Sequence, residues 1–391
     1  MKSQIVIFSI LDSPALGGAE EYLISNLEFL SKQGFEITLA THNQEIKNNY
    51  HQKFNIINLP YHLDLIGNIR GAIKFFIQTP LAIIWLIGVL SDLKKNYQQV
   101  IVYTPGFTER LIFSPFIKLL GLKLIWIEFG PVKAVFRKNL GLPKILYRLC
   151  SSFPDQVITI SKYSQRSLRT HTSIPNHKIS IIHPGTPKIT QTKLKSLQKK
   201  GVAWRTKHNL KSKKLITFVG RLATEKEVSL LIKAFAKLKI KNARLIIIGT
   251  GPEEKIYQKL AKDLKITNKI IFVGYVSSLM KTTILASSNI FVFPSSWEME
   301  GFGMTTIEAM MTATPVITSG SGPQKEIVMD RRTGLFFKPH HVISLSSKIE
   351  ELLKDQNLAK KLGLAGRKKA LASFTRALMH QQTFQLVRSR K

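Results

Sequence analysis

The sequence predicts an α/β protein built from two Rossmann-like domains, each a doubly wound parallel sheet. Three observations predict it. Short runs rich in Ile and Val recur along the chain, bounded by glycine or proline. Helix-length segments separate them, which is the pattern of parallel strands buried on both faces. The chain has 391 residues, and at roughly 100–200 residues per domain that length favours two domains.

Taken in order, IVIFSIL at 5–11 reads as the first strand. A loop with Gly17 and Gly18 follows, then a helical pattern from Glu20 to Lys32 that Gly34 ends, then the strand FEITLATH. QVIVYTP, LKLIWIEFG, DQVITISK and KISIIHPG continue a first domain set at 1–190. KLITFVG, ARLIIIG, KIIFVG, NIFVFPS and TPVITS form a second, set at 214–374. Residues 191–213 are rich in lysine and poor in strand character, and read as the connection, with room for a short helix. The segment Ala72–Leu90 is nearly all apolar, but its uninterrupted part, Leu81–Leu90, is ten residues long. A spanning helix needs about 20, so a buried or interfacial helix is expected.

Composition narrows the function classes. The one cysteine, Cys150, excludes an internal disulfide and fits a reducing compartment. No nucleophile motif surrounds it, so it reads as a packing residue. The first apolar run ends at Asp12 without a cleavage site, which points to a first strand on the cytosolic side rather than a signal peptide. The net charge of +34 is spread along the chain and attracts nucleic acid, anionic membrane surfaces and phosphorylated small molecules alike. No nucleic-acid recognition motif accompanies it, which makes nucleic acid the poorer partner. Between 118 and 148, Lys118, Lys123, Lys133, Arg137, Lys138, Lys144 and Arg148 alternate with aromatics, and Glu128 is the sole acid. With Phe113, Phe116, Trp126, Phe129, Phe136 and Tyr147 interleaved, this stretch predicts peripheral attachment to the inner face of an anionic membrane. It also suits an acceptor that carries its own phosphates.

The densest chemical signal is PSSWEMEGFGMTTIEAM at 294–310. It follows the strand NIFVF, and a helix is expected to begin near Met304. Glycines at such a turn let backbone approach a ligand, and the free N–H groups of the helix start suit a diphosphate. Glu308 lies eight residues after Glu300. One turn into the helix, Glu308 can accept two hydroxyl hydrogen bonds from a ribose, while Glu300, in the loop, can reach a sugar. Gly220 and Arg221 follow the strand KLITFV, and Lys226 comes five residues after Arg221. Ligands of open α/β sheets bind at the carboxyl ends of strands, so these cations are placed to clamp phosphates. An ordinary exposed acidic pair at a helix start is the plainer reading of Glu300 and Glu308 alone. The flanking glycines and the two cations argue against it. His183 in IIHPG reads as a packing residue, and the histidines show no metal-ligand spacing.

These motifs resemble those of the retaining glycosyltransferases of family four, which have the GT-B arrangement of two Rossmann domains facing a central cleft. The resemblance rests on GGAEEYLISNLEFLSKQG at 17–34, FVGRLATEK at 218–226, IIIGTGPE at 246–253, IIFVGYV at 270–276 and the glutamate segment at 294–310. TPVITSGSGPQKEIV at 314–328 and GLFF at 334–337 continue it in order. It implies that Arg221 and Lys226 bind the donor diphosphate, that Glu308 binds the ribose, and that Glu300 with the backbone N–H groups of Phe302 and Gly303 contacts the transferred sugar or the phosphates, with Gly301 also in the donor site. It implies that Gly17 and Gly18 shape the first domain's loop, that Gly274 and Tyr275 lie near the base, and that residues 375–391 return to the first domain. No cofactor and no metal are expected, and the chain has no Asp-x-Asp triplet.

Three departures stand out. Glu128 is the nearest match to a histidine usual in the family. Ala313 replaces a usual glycine. Phe374-Thr375 replaces the usual start of the returning helix.

The implied reaction moves a sugar from a UDP- or GDP-sugar to a hydroxyl of a glycan or lipid-linked acceptor, with retention, in envelope polysaccharide or glycolipid synthesis. Two alternatives remain at this stage: a sugar-nucleotide epimerase of similar fold, which would need no acceptor, and a non-catalytic basic nucleic-acid-binding protein.

Overall fold

The computed structural model describes residues 5–13, 17–61, 63, 69–136 and 142–389. It divides into two units, Met1–His183 with Met379–Lys391, and Pro184–Leu378.

The first unit holds a seven-stranded parallel sheet: β1 (Ile5–Ile10), β2 (Glu36–Thr41), β3 (Asn55–Asn58), β4 (Gln99–Thr104), β5 (Lys123–Glu128), β6 (Gln156–Thr159) and β7 (Ile179–Ile181). Its order is β3-β2-β1-β4-β5-β6-β7, so the winding reverses between β1 and β4, where Ile7 pairs with Ile101. The connecting helices are α1 (Gly18–Lys32), α2 (Gln44–Tyr50), α3 (Ile69–Asn96), α4 (Phe107–Leu119), α5 (Leu142–Cys150) and α6 (Lys162–His171). Strand residues Val6, Phe8, Val102 and Trp126 join Leu86, Leu90 and Phe113 of α3 and α4 in one apolar core.

The second unit opens with α7 (Gln191–Lys207), followed by β8 (Lys214–Val219), α8 (Val228–Ala236), β9 (Ala243–Ile248), α9 (Glu254–Asp263), β10 (Ile270–Gly274) and α10 (Ser278–Ser287). It continues through β11 (Ile290–Phe293), α11 (Met304–Met311), β12 (Val316–Thr318), α12 (Gln324–Ile327), β13 (Leu335–Phe336), α13 (Val342–Lys354) and α14 (Gln356–Ser373). Its six parallel strands run β10-β9-β8-β11-β12-β13, so the winding reverses between β8 and β11.

The final helix, α15 (Arg376–Arg388), belongs from Met379 onward to the first unit. There His380 hydrogen-bonds Ser25 at 3.0 Å and stacks on Phe29 at 4.5 Å. Thr375 Oγ1 accepts from the Leu378 N–H at 3.3 Å, so the threonine that departs from the family pattern still caps this helix.

Two expectations need correction. The segment 191–213 is not a bare connection, and the second unit begins at Pro184. Helix α7 buries Leu194, Leu197 and Trp204 and packs on α10. The fit is close enough that a Cβ at Gly201 would lie 2.5 Å from Ser287 Cβ. The apolar residues sit at helical spacing but are outnumbered by lysines, which hid the stripe.

The second correction concerns 118–148. Phe113, Trp126, Phe136 and Tyr147 are buried, and Phe116 and Phe129 are half-buried, so the aromatics form core rather than an interface. Lys118 pairs with Asp155 at 2.9 Å and Lys123 donates to the Ser389 carbonyl at 2.6 Å. Arg137 and Lys138 lie outside the described residues. The exposed large apolar side chains of this unit, among the described residues, are Ile77, Leu81 and Ile84 of α3, Leu119 of α4, and Ile145 and Leu149 of α5. Helix α3 buries Ala82, Leu86, Leu90 and Leu93 along its other side. By length and composition its part Ile77–Asn96 is sufficient to cross a membrane.

Candidate functional site

The predicted donor residues gather in the second unit at the reversal between β8 and β11. Arg221 and Lys226 come from the loop after β8, and Glu300 from the loop after β11. Glu308 lies in the second turn of α11. Three glycines finish neighbouring strands here. The Gly220 N–H donates to the Ile248 carbonyl at 3.0 Å, and the Gly249 N–H donates to the Gly274 carbonyl at 2.8 Å. A Cβ at Gly249 would lie 2.0 Å from the Gly220 oxygen, so the GTG turn is a backbone close approach. Gly274 has φ +74°, and the next residue, Tyr275, is 85% exposed.

Each cation of the cluster holds a carboxylate. Lys226 Nζ lies 2.6 Å from Glu300 Oε2, and both side chains are mostly buried. Lys281 Nζ lies 2.6 Å from Glu308 Oε1. Arg221 pairs with Glu225 at 2.5 Å and is the most open of the three cations, with its side chain 67% exposed. Burial pushes the Glu225 carboxyl up, but its hydrogen bond from Arg221, its own backbone bond and the charges of Arg221 and Lys226 outweigh this and hold it below the usual range. Each cation of the cluster therefore has its charge offset by a neighbouring carboxylate.

The loop that carries Glu300 is fixed by buried polar contacts. Gln324 Nε2 donates to the Phe302 carbonyl at 2.9 Å and its Oε1 accepts from Thr306 at 3.1 Å. Gly303 has φ +101°, and a Cβ there would lie 2.0 Å from Gln324 Nε2. As the N-cap of α11, Gly303 offers no side chain to the first turn, whose N–H groups suit an anion. Ser319 Oγ donates to the Ser295 carbonyl at 2.6 Å, and the Ser296 N–H donates to Glu227 at 2.7 Å. Glu227 also meets His340 at 3.0 Å and sits at φ +51°, a left-handed conformation that costs a non-glycine residue roughly 1–2 kcal/mol.

Lys281, Glu227 and Gln324 were missed in the sequence. Lys281 lies in none of the quoted motifs, Gln324 lies in the 314–328 motif but outside 294–310, and only the fold brings both to the site. Glu227 directly follows Lys226, but nothing in the sequence announces its left-handed turn.

The glycine pair of the first unit lies apart from this cluster in the chain. Gly17 is the N-cap of α1, and its N–H donates to Glu20 Oε2 at 2.8 Å. A Cβ on Gly17 would lie 2.9 Å from that carboxylate, whereas Gly18 has open space. A shift of the flexible Glu20 side chain would relieve the contact at Gly17, so neither glycine answers to a steric demand. Glu128, the counterpart of the family histidine, is buried, bonded to Arg110 and accepts from the Tyr147 hydroxyl at 2.6 Å. It is a core group. Cys150 is buried and donates to the Leu111 carbonyl at 3.3 Å. Among the described residues no group of three or more His, Cys, Asp or Glu side chains is placed to hold a metal.

Comparison with known proteins agrees with this architecture. Residues 202–369 match the family described as glycosyl transferases group 1. Residues 16–187 match glycosyltransferase family 4. An uncharacterised glycosyltransferase of Methanocaldococcus jannaschii is 30% identical over 209 residues, covering 51% of each chain. The chain thus spans about half the length of this first curated relative. CapM of Staphylococcus aureus, a capsular polysaccharide biosynthesis glycosyltransferase, is 25% identical over 313 residues, 76% of this chain and 80% of CapM. The crystal structure of Anabaena HepE in complex with UDP shares the fold with a TM-score of 0.80 at 15% identity, covering 98% of this chain and 99% of HepE.

Proposed function

The chain belongs to the family-four, group 1 glycosyltransferases, and on that premise we propose that it moves a sugar from a UDP- or GDP-sugar to an acceptor hydroxyl with retention at the anomeric carbon. One observation carries the reading: Arg221, Lys226, Glu300 and Glu308 converge at the β8/β11 reversal around the glycine-capped start of α11. Arg221, Lys226 and the first-turn N–H groups take the diphosphate charge that builds as the sugar leaves, in place of a metal. Glu308 accepts from the ribose, and Glu300 releases Lys226 to the diphosphate and meets the sugar. Gly274 and Tyr275 lie beside the base. With Glu308 on the ribose and Glu300 on the sugar's hydroxyls, this reading assigns no carboxylate to the anomeric carbon and takes front-face attack, with the diphosphate receiving the acceptor proton. Anomeric NMR of the product tests this: an α-configured donor gives an α-linked product, and a β-linked product contradicts retention.

The first unit takes the acceptor, a growing envelope glycan or glycolipid. This follows the kinship with CapM, whose name assigns it to capsular polysaccharide synthesis. Its exposed apolar residues Ile77, Leu81 and Ile84 on α3, with Lys94 and Lys95 at the end of that helix, suit peripheral attachment to an anionic inner leaflet. Flotation with anionic vesicles tests it. Ile77→Asp with Ile84→Asp releases the protein from the vesicles, and undiminished flotation contradicts the attachment face.

A further inference from the structure

Helix α11 carries Glu308 into the cluster at β8/β11 but brings no cation with it: its sequence, MTTIEAMM, holds no lysine, arginine or histidine. The Glu308 side chain is 19% exposed. A carboxylate enclosed to that degree is costly to keep ionised unless a neighbouring element supplies the opposite charge. Lys281 supplies it. Its Nζ lies 2.6 Å from Glu308 Oε1, its own side chain is 21% exposed, and it reaches there from α10, 27 positions earlier in the chain.

The backbone fixes the place of Lys281. Helix α10 follows β10 after Tyr275, Val276 and Ser277, and the Ser277 Oγ caps it by accepting from the Met280 N–H at 3.3 Å. The Lys281 N–H donates to the Ser277 carbonyl at 2.9 Å, so the lysine stands where the first helical turn closes. The helix dipole favours anions at that end, so a cation there gains nothing from its own helix. Helix α10 packs on both α7 and α11. The lysine is therefore held on a braced element, at a helix end that disfavours it, with its charge spent on one carboxylate of the donor cluster.

A carboxylate offers about four lone-pair sites. The hold of Lys281 on Oε1 is thus compatible with two hydroxyl hydrogen bonds to the same group. Resting on the transferase reading above, in which Glu308 takes the ribose, we propose that Lys281 is a positioning residue for that contact. It fixes the rotamer and the charge of Glu308 from across the α10–α11 interface, and so makes the site discriminate a complete ribose from one lacking a hydroxyl. It acts through Glu308 and does not itself touch the nucleotide. A plain tie between two helices predicts something else: lost stability with ribose discrimination unchanged.

Calorimetric titration of UDP and GDP beside their 2′-deoxy and 3′-deoxy counterparts tests this on the full chain. In the wild type the deoxy forms of the preferred nucleotide are expected to bind on the order of tenfold more weakly. Lys281→Gln should close most of that gap, and Lys281→Arg, which keeps the charge, should restore part of it. A gap undiminished in Lys281→Gln overturns the proposal, whatever its thermal midpoint does. Removing one partner of an enclosed pair can unfold a chain, whereas removing both leaves no unpaired charge. The double variant Lys281→Gln with Glu308→Gln therefore keeps the test open. If Lys281 acts only through Glu308, the double variant and Glu308→Gln bind the ribonucleotide equally. Weaker binding by the double variant shows a direct contact and overturns the positioning role.

The same titrations separate this proposal from the reading beneath it. A wild type that binds no UDP or GDP sinks the transferase reading. A wild type that binds the deoxy forms equally well sinks the assignment of the ribose to Glu308, and the role of Lys281 with it. A gap that closes in Glu308→Gln but persists in Lys281→Gln sinks the role of Lys281 alone.

Discussion

The two units reverse their sheets at equivalent places, β1/β4 and β8/β11, and put opposite electrostatics there. At β8/β11 three cations each hold a carboxylate. At β1/β4 three carboxylates line a cavity that no lysine or arginine lines among the described residues. The fold supplies the location in both cases, and the side chains decide what can bind there. A net charge of +34 predicts neither site, because each is set by a few residues at the strand ends.

The largest expected effect separates the units by stability. Glu128→Ala leaves Arg110 buried without its partner. Losing one side of such a pair costs about 3–5 kcal/mol. Denaturant unfolding followed by a first-unit probe should shift by that amount while nucleotide affinity in the second unit holds. Equal loss in both units would erase the distinction between them.

Next come the donor residues. Glu308→Gln and Arg221→Ala should each lower transfer on the order of 10²–10³-fold with the thermal midpoint retained. Near-normal turnover in either moves the site elsewhere.

A smaller pair tests backbone demands inside the second unit. Gly303→Ala places a Cβ against Gln324 at φ +101°. It should destabilise by more than about 1 kcal/mol and weaken nucleotide binding. Ala313 already sits at φ +58°, so Ala313→Gly should stabilise by up to about 1 kcal/mol in thermal melts.

The smallest effect is acid-dependent. The Glu225 carboxyl is held below its ordinary range by Arg221 despite partial burial. Its contribution is therefore present above the unfolded carboxyl's range and is lost as pH falls through the lowered folded value. Glu225→Gln should flatten the acid limb of the stability profile, and an unchanged limb would show that this pair contributes nothing.

The cluster at β8/β11 was legible because its parts are contiguous motifs: a strand, a glycine turn and charged residues at fixed offsets. The start of α11 at Met304 and the position of Glu308 within it could be read from 294–310 alone. The departure at Ala313 was also visible, and its left-handed φ explains why glycine is usual there. The acidic cavity was not legible. Asp12, Glu20 and Glu109 come from three separate segments, and only the pairing of β1 with β4 unites them. The 118–148 stretch misled for a related reason. Alternating basic and aromatic residues look like an interface until tertiary packing turns the aromatics inward. The helix α7 was obscured by its own lysines, although Leu194, Leu197 and Trp204 keep helical spacing.

The donor reading turns on Glu308, which we propose holds the donor's ribose in the second unit. Calorimetric titration of UDP and GDP beside their 2′-deoxy and 3′-deoxy counterparts, into the wild-type chain and Glu308→Gln, tests it most directly. The deoxy forms of the preferred nucleotide should bind the wild type on the order of tenfold more weakly, since a hydrogen bond to a charged group contributes about 1.5–3 kcal/mol. The gap should close in Glu308→Gln. A gap of the same size in both proteins would contradict it.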